Sequence, residues 1–334
     1  MGKQYIGYVG TYTRQSSKGI YRFTLDTTTG KLGVPEVAAE VGSPTYLAIS
    51  EDQKFLYSVA QQDKFGGVAA FEVVNDAGDA GELKQLNTEV EEGAPPCHLD
   101  VYGDHLLTGN YHEGRVNLYD INHKGGIEPV LDVYNHQGNG PHERQEKPHV
   151  HFTGLTPDKK FVIVADLGTD ELTDELVTYQ IENNELKRVQ TLHVKPGSGP
   201  RHIAFHPNGK WAYLLTELST EVIVLDYDQQ TGSFTEKQTI LAKPEDFTGQ
   251  NDASAIHISP DGRFVYAGNR GHNSIAVFRI DETSGKVGFV EFTSTGGEWP
   301  RDFCLDPSVV PILLQRISIQ VILSSLPVIK KQGD

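Results

Sequence analysis

The sequence predicts an all-β protein, a seven-bladed β-propeller of four-stranded antiparallel blades. Three observations lead there. Short segments with period-2 patterning, rich in β-branched and aromatic residues, run to about residue 300, and no convincing amphipathic helical pattern interrupts them. A Pro-x-x element before an apolar strand recurs as SPTYLAIS, PPCHLDVY, KPHVHFTGL, GPRHIAFH and WPRDFCLD. Its prolines are 44, 96, 148, 200 and 300, the first four spaced by 52 residues. Ser254, in ASAIHISPDGRFVYAGN, stands at the proline position of the unit between the last two. Units of ~50 residues repeating in this way are the signature of a propeller.

Each unit has the same internal order. The first strand follows the Pro-x-x element. A turn comes next, written SEDQKF, TPDKKF, HPNGKW or SPDGRF. Proline presets φ there and glycine accepts positive φ. The second strand is an apolar run, FLYSVA, FVIVADL, WAYLLTEL or FVYAGN. A polar loop leads to a third strand expected to alternate in and out, as in GVAAFEVV, RVNLYDI, LVTYQIE, EVIVLDYD and SIAVFRID. An Asx or Thr-Gly turn and a weaker fourth strand close most units. The first unit, YIGYVGTYT–GIYRFTLD–TTTGKL, lacks an innermost strand of its own, as expected where chain ends pair to close a ring. Residues 1–308 are expected to form one propeller domain. Residues 309–334, VVPILLQRISIQVILSSLPVIKKQGD, depart from the repeat and look too short for the missing strands. That places closure of the ring by the chain ends in question.

The bulk numbers exclude some partners. Net charge is −16 over 334 residues, from 45 acids against 29 bases, which argues against nucleic acid and against an anionic membrane surface. No apolar run reaches the ~18 residues of a membrane span. Cys97 and Cys304 are read as reduced thiols. No signal-peptide pattern opens the chain, and a cytoplasmic monomer or weak homo-oligomer is expected.

In an up-and-down meander, the start of the first strand and the end of the second share a face. Those positions are therefore expected to ring one opening of the channel. First-strand starts give Thr45, Cys97 with His98, His149 with His151, Arg201 with His202, His257, and Arg301 with Asp302. Second-strand ends give Gln61, Asn110 to His112, Asp166 with Asp170, Glu217, and Asn269-Arg270 with His272. Asp166, His202, His206 and His257 read equally well as braces of their own blades. His98, His112 and His272 read more readily as solvated loop residues. Arg201, Arg270, His149 and Glu217, complementary and at equivalent positions, read more readily as functional. The pair His149-x-His151 lacks a third partner, so no metal is expected. The glycine-bearing segments lack a phosphate-loop pattern and a following helix, and no cofactor is expected.

The motifs VGTYT, KPHVHF, ADLGTDEL, GPRHIAFHPNGKWAYLLTEL, SAIHISPDGRFVYAGNRGHNSIAVF and WPRDFCLDP resemble the bacterial 6-phosphogluconolactonases of the seven-bladed propeller type. Fungal carboxymuconate-lactonizing enzymes are relatives of that family. The resemblance covers about residues 4–308. It implies hydrolysis of 6-phospho-D-glucono-1,5-lactone, a small anionic sugar lactone, to 6-phosphogluconate in the pentose phosphate pathway. It carries a His, two Arg and a Glu onto His149, Arg201, Glu217 and Arg270, with His151 as a substitute for His149. Substrate contacts are expected from His151, His202, Asp166, His272 and Arg301. No Gly-x-Ser-x-Gly elbow is present, so direct attack by water is the simpler chemistry. Two alternatives stand beside it: a lactonase or cycloisomerase acting on another carboxylic acid lactone, and a non-catalytic propeller that binds a small anion.

Overall fold

The structure is a computed structural model that describes residues 4–75, 80–168, 174–305, 312–317 and 325–327. Among the described residues every regular element is a strand, and the architecture is an all-β propeller. The first sheet holds β1 (Gln4–Val9), β2 (Gly19–Asp26), β3 (Lys31–Leu32) and β4 (Glu36–Glu40). Both β3 and β4 pair with β2, so they act as one outer strand with a break, and this sheet has only three strand positions. Among the described residues the first sheet thus lacks an inner strand, as expected from the sequence.

Five four-stranded meanders follow. They are β5 (Leu47–Ile49) to β6 (Phe55–Gln62), β7 (Phe65–Val74) and β8 (Glu82–Glu92); β9 (His98–Tyr102), β10 (His105–Asn110), β11 (Arg115–Ile121) and β12 (Ile127–Asn135); β13 (Val150–Leu155), β14 (Val162–Asp166), β15 (Asp174–Glu182) and β16 (Glu185–Val194); β17 (Pro200–Phe205), β18 (Trp211–Thr216), β19 (Glu221–Asp228) and β20 (Ser233–Leu241); and β21 (Asp252–Ile258), β22 (Phe264–Arg270), β23 (Ser274–Ile280) and β24 (Val287–Ser294). A three-stranded sheet of β25 (Pro300–Leu305), β26 (Ile312–Ile317) and β27 (Ser325–Pro327) comes last. The tail thus supplies two strands after all, and among the described residues this sheet lacks a fourth.

The chain divides into two compact units, one of Met1–Tyr5, Leu25–Gly33 and Ser198–Asp334, the other of Ile6–Thr24 and Val34–Gly197. Within each, apolar clusters lie between consecutive sheets. Tyr57, Val59, Leu99 and Leu106 fill one such space in the second unit. Tyr213, Leu215, Val265 and Ala267 fill one in the first. A strand sandwiched this way is covered on both faces. That explains the unbroken apolar runs of β14 and β18, which are buried throughout. It also corrects the alternation expected of the third strands: β7, β15 and β19 are buried over most of their length on both faces. The outer strands, such as β20, are instead half-buried or exposed along most of their length.

The turn between first and second strands has one backbone in four of the repeat units. Gln53, Lys159, Gly209 and Gly262 all take positive φ, 58°, 60°, 67° and 72°. Each donates its N–H to the carbonyl three residues back, on Ser50, Thr156, His206 and Ser259, at 2.8 to 2.9 Å.

Candidate active site

Arg201 lies near the start of β17, where Pro200 pairs with Thr216 and His202 with Leu215. Two residues on one strand advance against one on the other, so Arg201 is the extra residue of a β-bulge. A bulge re-aims a side chain. The register gives the same place to His151, between the pairs Val150–Asp166 and Phe152–Ala165. It gives it also to Arg301, between Pro300–Ile317 and Asp302–Arg316. Alignment by proline sets His149 against Arg201, but the hydrogen bonds set His151 there. The strand of KPHVHF runs two residues longer before its turn than that of GPRHIAF, and this shifts the match. Likewise Ala253 faces Asn269 as Pro200 faces Thr216, so Ala253, not Ser254, holds the proline position.

Glu217 follows the last residue of β18, and its backbone is pinned on both sides. Its N–H donates to Gly199 O at 2.7 Å, and its carbonyl accepts from Ala253 N–H at 3.0 Å. Its carboxylate Oε2 accepts from Arg201 Nε at 2.8 Å and lies 2.9 Å from Arg270 Nη2. Arg270 ends β22 and donates through Nη2 to Ala253 O at 2.6 Å. Arg201 donates through Nη1 to Ser254 O. Relative exposures are 2% for Arg201, 1% for Glu217 and 4% for Arg270, so three charges are withdrawn from water together. Burial, reinforced by the neighbouring Arg270 cation and opposed by Glu217, lowers Arg201 to about 10. It remains a cation at neutral pH, and the trio carries one net positive charge. Arg270 Nε is buried and has no hydrogen-bond partner. A buried donor without an acceptor costs roughly 1–3 kcal/mol, which an incoming anionic oxygen relieves.

Other predicted residues of this unit lie nearby in sequence and differ in role. Arg301 adds to the positive field at Arg201. His202 is buried beside it in β17. His272 donates its backbone N–H to Asn251 Oδ1 at 3.0 Å, and its Nδ1 meets Ser274 Oγ at 2.6 Å, which makes it a loop brace. His257 lies 3.6 Å from Asp302 and against the ring of Phe303.

The second unit holds His149 and His151. His149 is buried, with Nδ1 2.8 Å from Tyr111 O and Nε2 3.2 Å from Glu146 Oε2, and it stacks on the Tyr111 ring at 4.3 Å. Both its ring nitrogens face acceptors. His151 is buried, with Nδ1 3.9 Å from Cys97 Sγ and its ring edge-on to Tyr111 at 5.5 Å. Asp166 is fully buried and committed to structure. Its Oδ1 accepts from the N–H groups of His149 and Gly168 at 2.7 and 2.8 Å, and Oδ2 lies 2.9 Å from His136 Nδ1. His136 Nε2 then meets Tyr179 Oη at 2.8 Å. Asp170 lies outside the described residues.

Sequence reading missed two contributors. His136 and Gln145 sit in a polar loop that gives no periodic signal. Gln145 is fully buried and donates to Leu167 O at 2.6 Å and to Asp174 Oδ1 at 2.9 Å. Tyr111 was visible only as a second-strand end. Among the described residues no group of three or more His, Cys, Asp or Glu could hold a metal ion, and no helix is long and apolar enough to cross a membrane. Cys97 and Cys304 are thiols.

A family described as lactonase, 7-bladed beta-propeller, matches residues 6–313. The 6-phosphogluconolactonase of Bacillus subtilis (strain 168) is 47% identical over 307 residues, covering 91% of this chain and 86% of that protein. Among solved structures, a protein from Lactobacillus plantarum superposes with a TM-score of 0.85 at 36% identity, over 98% of this chain and 95% of that one. The periplasmic gluconolactonase of Pseudomonas aeruginosa superposes with a TM-score of 0.88 at 29% identity, over 98% and 97%.

Proposed function

We propose that this chain, which belongs to the lactonase family of seven-bladed β-propellers, hydrolyses 6-phospho-D-glucono-1,5-lactone to 6-phosphogluconate. It is a carboxylic ester hydrolase that serves the pentose phosphate pathway, and its substrate is a small anionic sugar lactone. The reading takes residues 1–308 as one domain of seven blades, with 309–334 as a tail. It places the enzyme in the cytoplasm as a monomer or weak homo-oligomer.

The observation that carries the reading is the buried Arg201–Glu217–Arg270 network. Its net positive charge and the unpartnered Nε–H of Arg270 suit an oxygen that gains charge during the reaction. Water attacks the lactone carbonyl carbon, the carbonyl π pair moves onto oxygen, and a tetrahedral oxyanion forms. Collapse then expels the ring oxygen, which takes up a proton as the new hydroxyl. A donor aimed at such an oxyanion is worth ~3–4 kcal/mol. One guanidinium fills that role, and the other holds the phosphate through paired hydrogen bonds. Glu217 fixes both. A histidine takes the proton from water, either His149 or His151. His151 suits the role better, because it stands at the bulge position that Arg201 also occupies. The nitrogens of His149 are already engaged. Arg301, His202, His272 and Asp166 remain the proposed surroundings of the substrate, Asp166 through its hold on His149.

The test is a lactonase assay on freshly prepared 6-phosphogluconolactone with the spontaneous rate subtracted. Turnover well above background is expected, falling sharply in Arg201→Ala and further in His151→Ala than in His149→Ala. A purified, folded chain that adds nothing to the spontaneous rate ends the proposal.

A further inference from the structure

Trp299, the first residue of WPRDFCLD, has no part in the mechanism above. Its φ is 59°, in the left-handed region. For a bulky side chain that backbone is strained and persists only where the surroundings hold it. Here they do. The Trp299 N–H donates to Asn273 Oδ1 at 2.8 Å, and the same oxygen accepts from Gly271 N–H at 3.2 Å. Asn273 is itself left-handed, with φ 58°. Its carbonyl accepts from both the N–H and the hydroxyl of Thr295, at 3.0 and 2.9 Å. The loop that does this holding follows directly on Arg270. What the strain fixes is the indole against that residue, with the Arg270 guanidinium carbon 5.9 Å from the ring centroid. The ring is partly exposed, so filling the core does not account for it.

A sugar lactone offers two kinds of surface, hydroxyl and phosphate oxygens at its rim and C–H groups on its faces. An indole face is electron-rich and attracts the latter. The guanidinium beside it attracts the former. We infer that Trp299 is the platform on which the C–H face of the sugar lactone rests, and that it sets the preference for sugar lactones over plain aliphatic ones. The inference rests on the lactonase reading of the same site.

The chain has two tryptophans, and Trp211 is buried in the core. In Trp211→Phe, Trp299 is the sole indole, and adding 6-phosphogluconate is expected to change its emission. The emission of Trp299→Phe, with only Trp211 left, is expected not to respond. Trp299→Gly deletes the ring and accepts the left-handed backbone without strain. It is expected to melt no lower than the unaltered chain, to show a KM for 6-phosphogluconolactone raised about tenfold, and to treat δ-valerolactone as before. An unchanged KM overturns the inference. So does a Trp299→Gly protein that melts well below the unaltered one and loses both substrates equally, since that marks a structural role. If the unaltered chain has no lactonase activity, the preceding proposal fails. The fluorescence response to 6-phosphogluconate then still decides whether Trp299 meets a sugar acid.

Discussion

Glu217 accepts from the buried guanidinium of Arg201 and lies 2.9 Å from that of Arg270, so removing its charge leaves both without their counter-ion. Glu217→Gln keeps the volume and leaves Arg201 and Arg270 facing a neutral amide. Breaking a buried pair by removing one partner costs roughly 3–5 kcal/mol, and urea unfolding is expected to show a loss of that order. Arg201→Lys is a different experiment. A lysine ammonium cannot reproduce the fork that reaches Glu217 Oε2 and Ser254 O together. Its kcat/KM on 6-phosphogluconolactone is expected to fall on the order of 100-fold, with the protein still folded by circular dichroism. The ionisation of Arg201 supplies a pH test. Its value in the folded chain, about 10, lies below the ordinary 12.5. In that interval the unfolded chain holds the proton and the folded chain has released it. The contribution of Arg201 to stability therefore rises with pH through the interval, and below it the fold bears the full cost of a buried cation. Function runs the opposite way, since deprotonation removes the charge that receives an anion. Calorimetric binding of 6-phosphogluconate is expected to weaken as the pH passes about 10, and to lose that inflection in Arg201→Gln, whose amide does not titrate there.

Turns and strand registers show where local sequence stops being informative. The strands and their turns could be read because apolar runs and Pro-Asn-Gly or Pro-Asp-Gly are local patterns. The bulges could not, because a bulge is decided by which partner residue each N–H meets, and His151 and His149 look alike in KPHVHF. Gln145 and His136 were invisible for another reason: their partners, Leu167, Asp174, Asp166 and Tyr179, lie 22 to 43 residues away. In the turn, the common left-handed position is glycine in two units but Gln53 and Lys159 in others. Gln53 is exposed, and apart from its backbone bond to Ser50 little binds it there. Gln53→Gly removes a left-handed strain of about 1–2 kcal/mol against the ~0.5–1 kcal/mol of extra chain entropy that glycine loses. A small rise in melting temperature is expected, measured by calorimetry. In the loop, Gln145→Ala takes the side-chain amide from the carbonyl of Leu167 and one donor from the carboxylate of Asp174, which keeps the N–H of Gly197. A loss of about 1–3 kcal/mol is expected, with faster protease cleavage between residues 136 and 149.

A propeller depends on each sheet covering the next, so a short last sheet matters to the entire chain. β25 carries Arg301 at its bulge and Phe303 in the cluster with Ala255, Tyr266, Ile275 and Val277. Among the described residues its strand partner is β26, from the segment that breaks the sequence repeat. Deleting residues 309–334 removes that partner and leaves a row of backbone donors and acceptors open to pairing with another chain. The truncated protein is expected to scatter light and elute early on size exclusion at concentrations where the intact chain does not. It is also expected to melt lower, because Phe303 loses the strand that holds it against Tyr266. The Arg201–Glu217–Arg270 bonds involve only β17, the end of β18 and sheet β21–β22. Lactonase activity is therefore expected to fall less than stability in whatever fraction stays monomeric. A truncated chain that stays monomeric and melts like the intact one would show that the tail strands contribute nothing to holding β25. The seventh sheet would then rest on its packing against β21 and β22 alone.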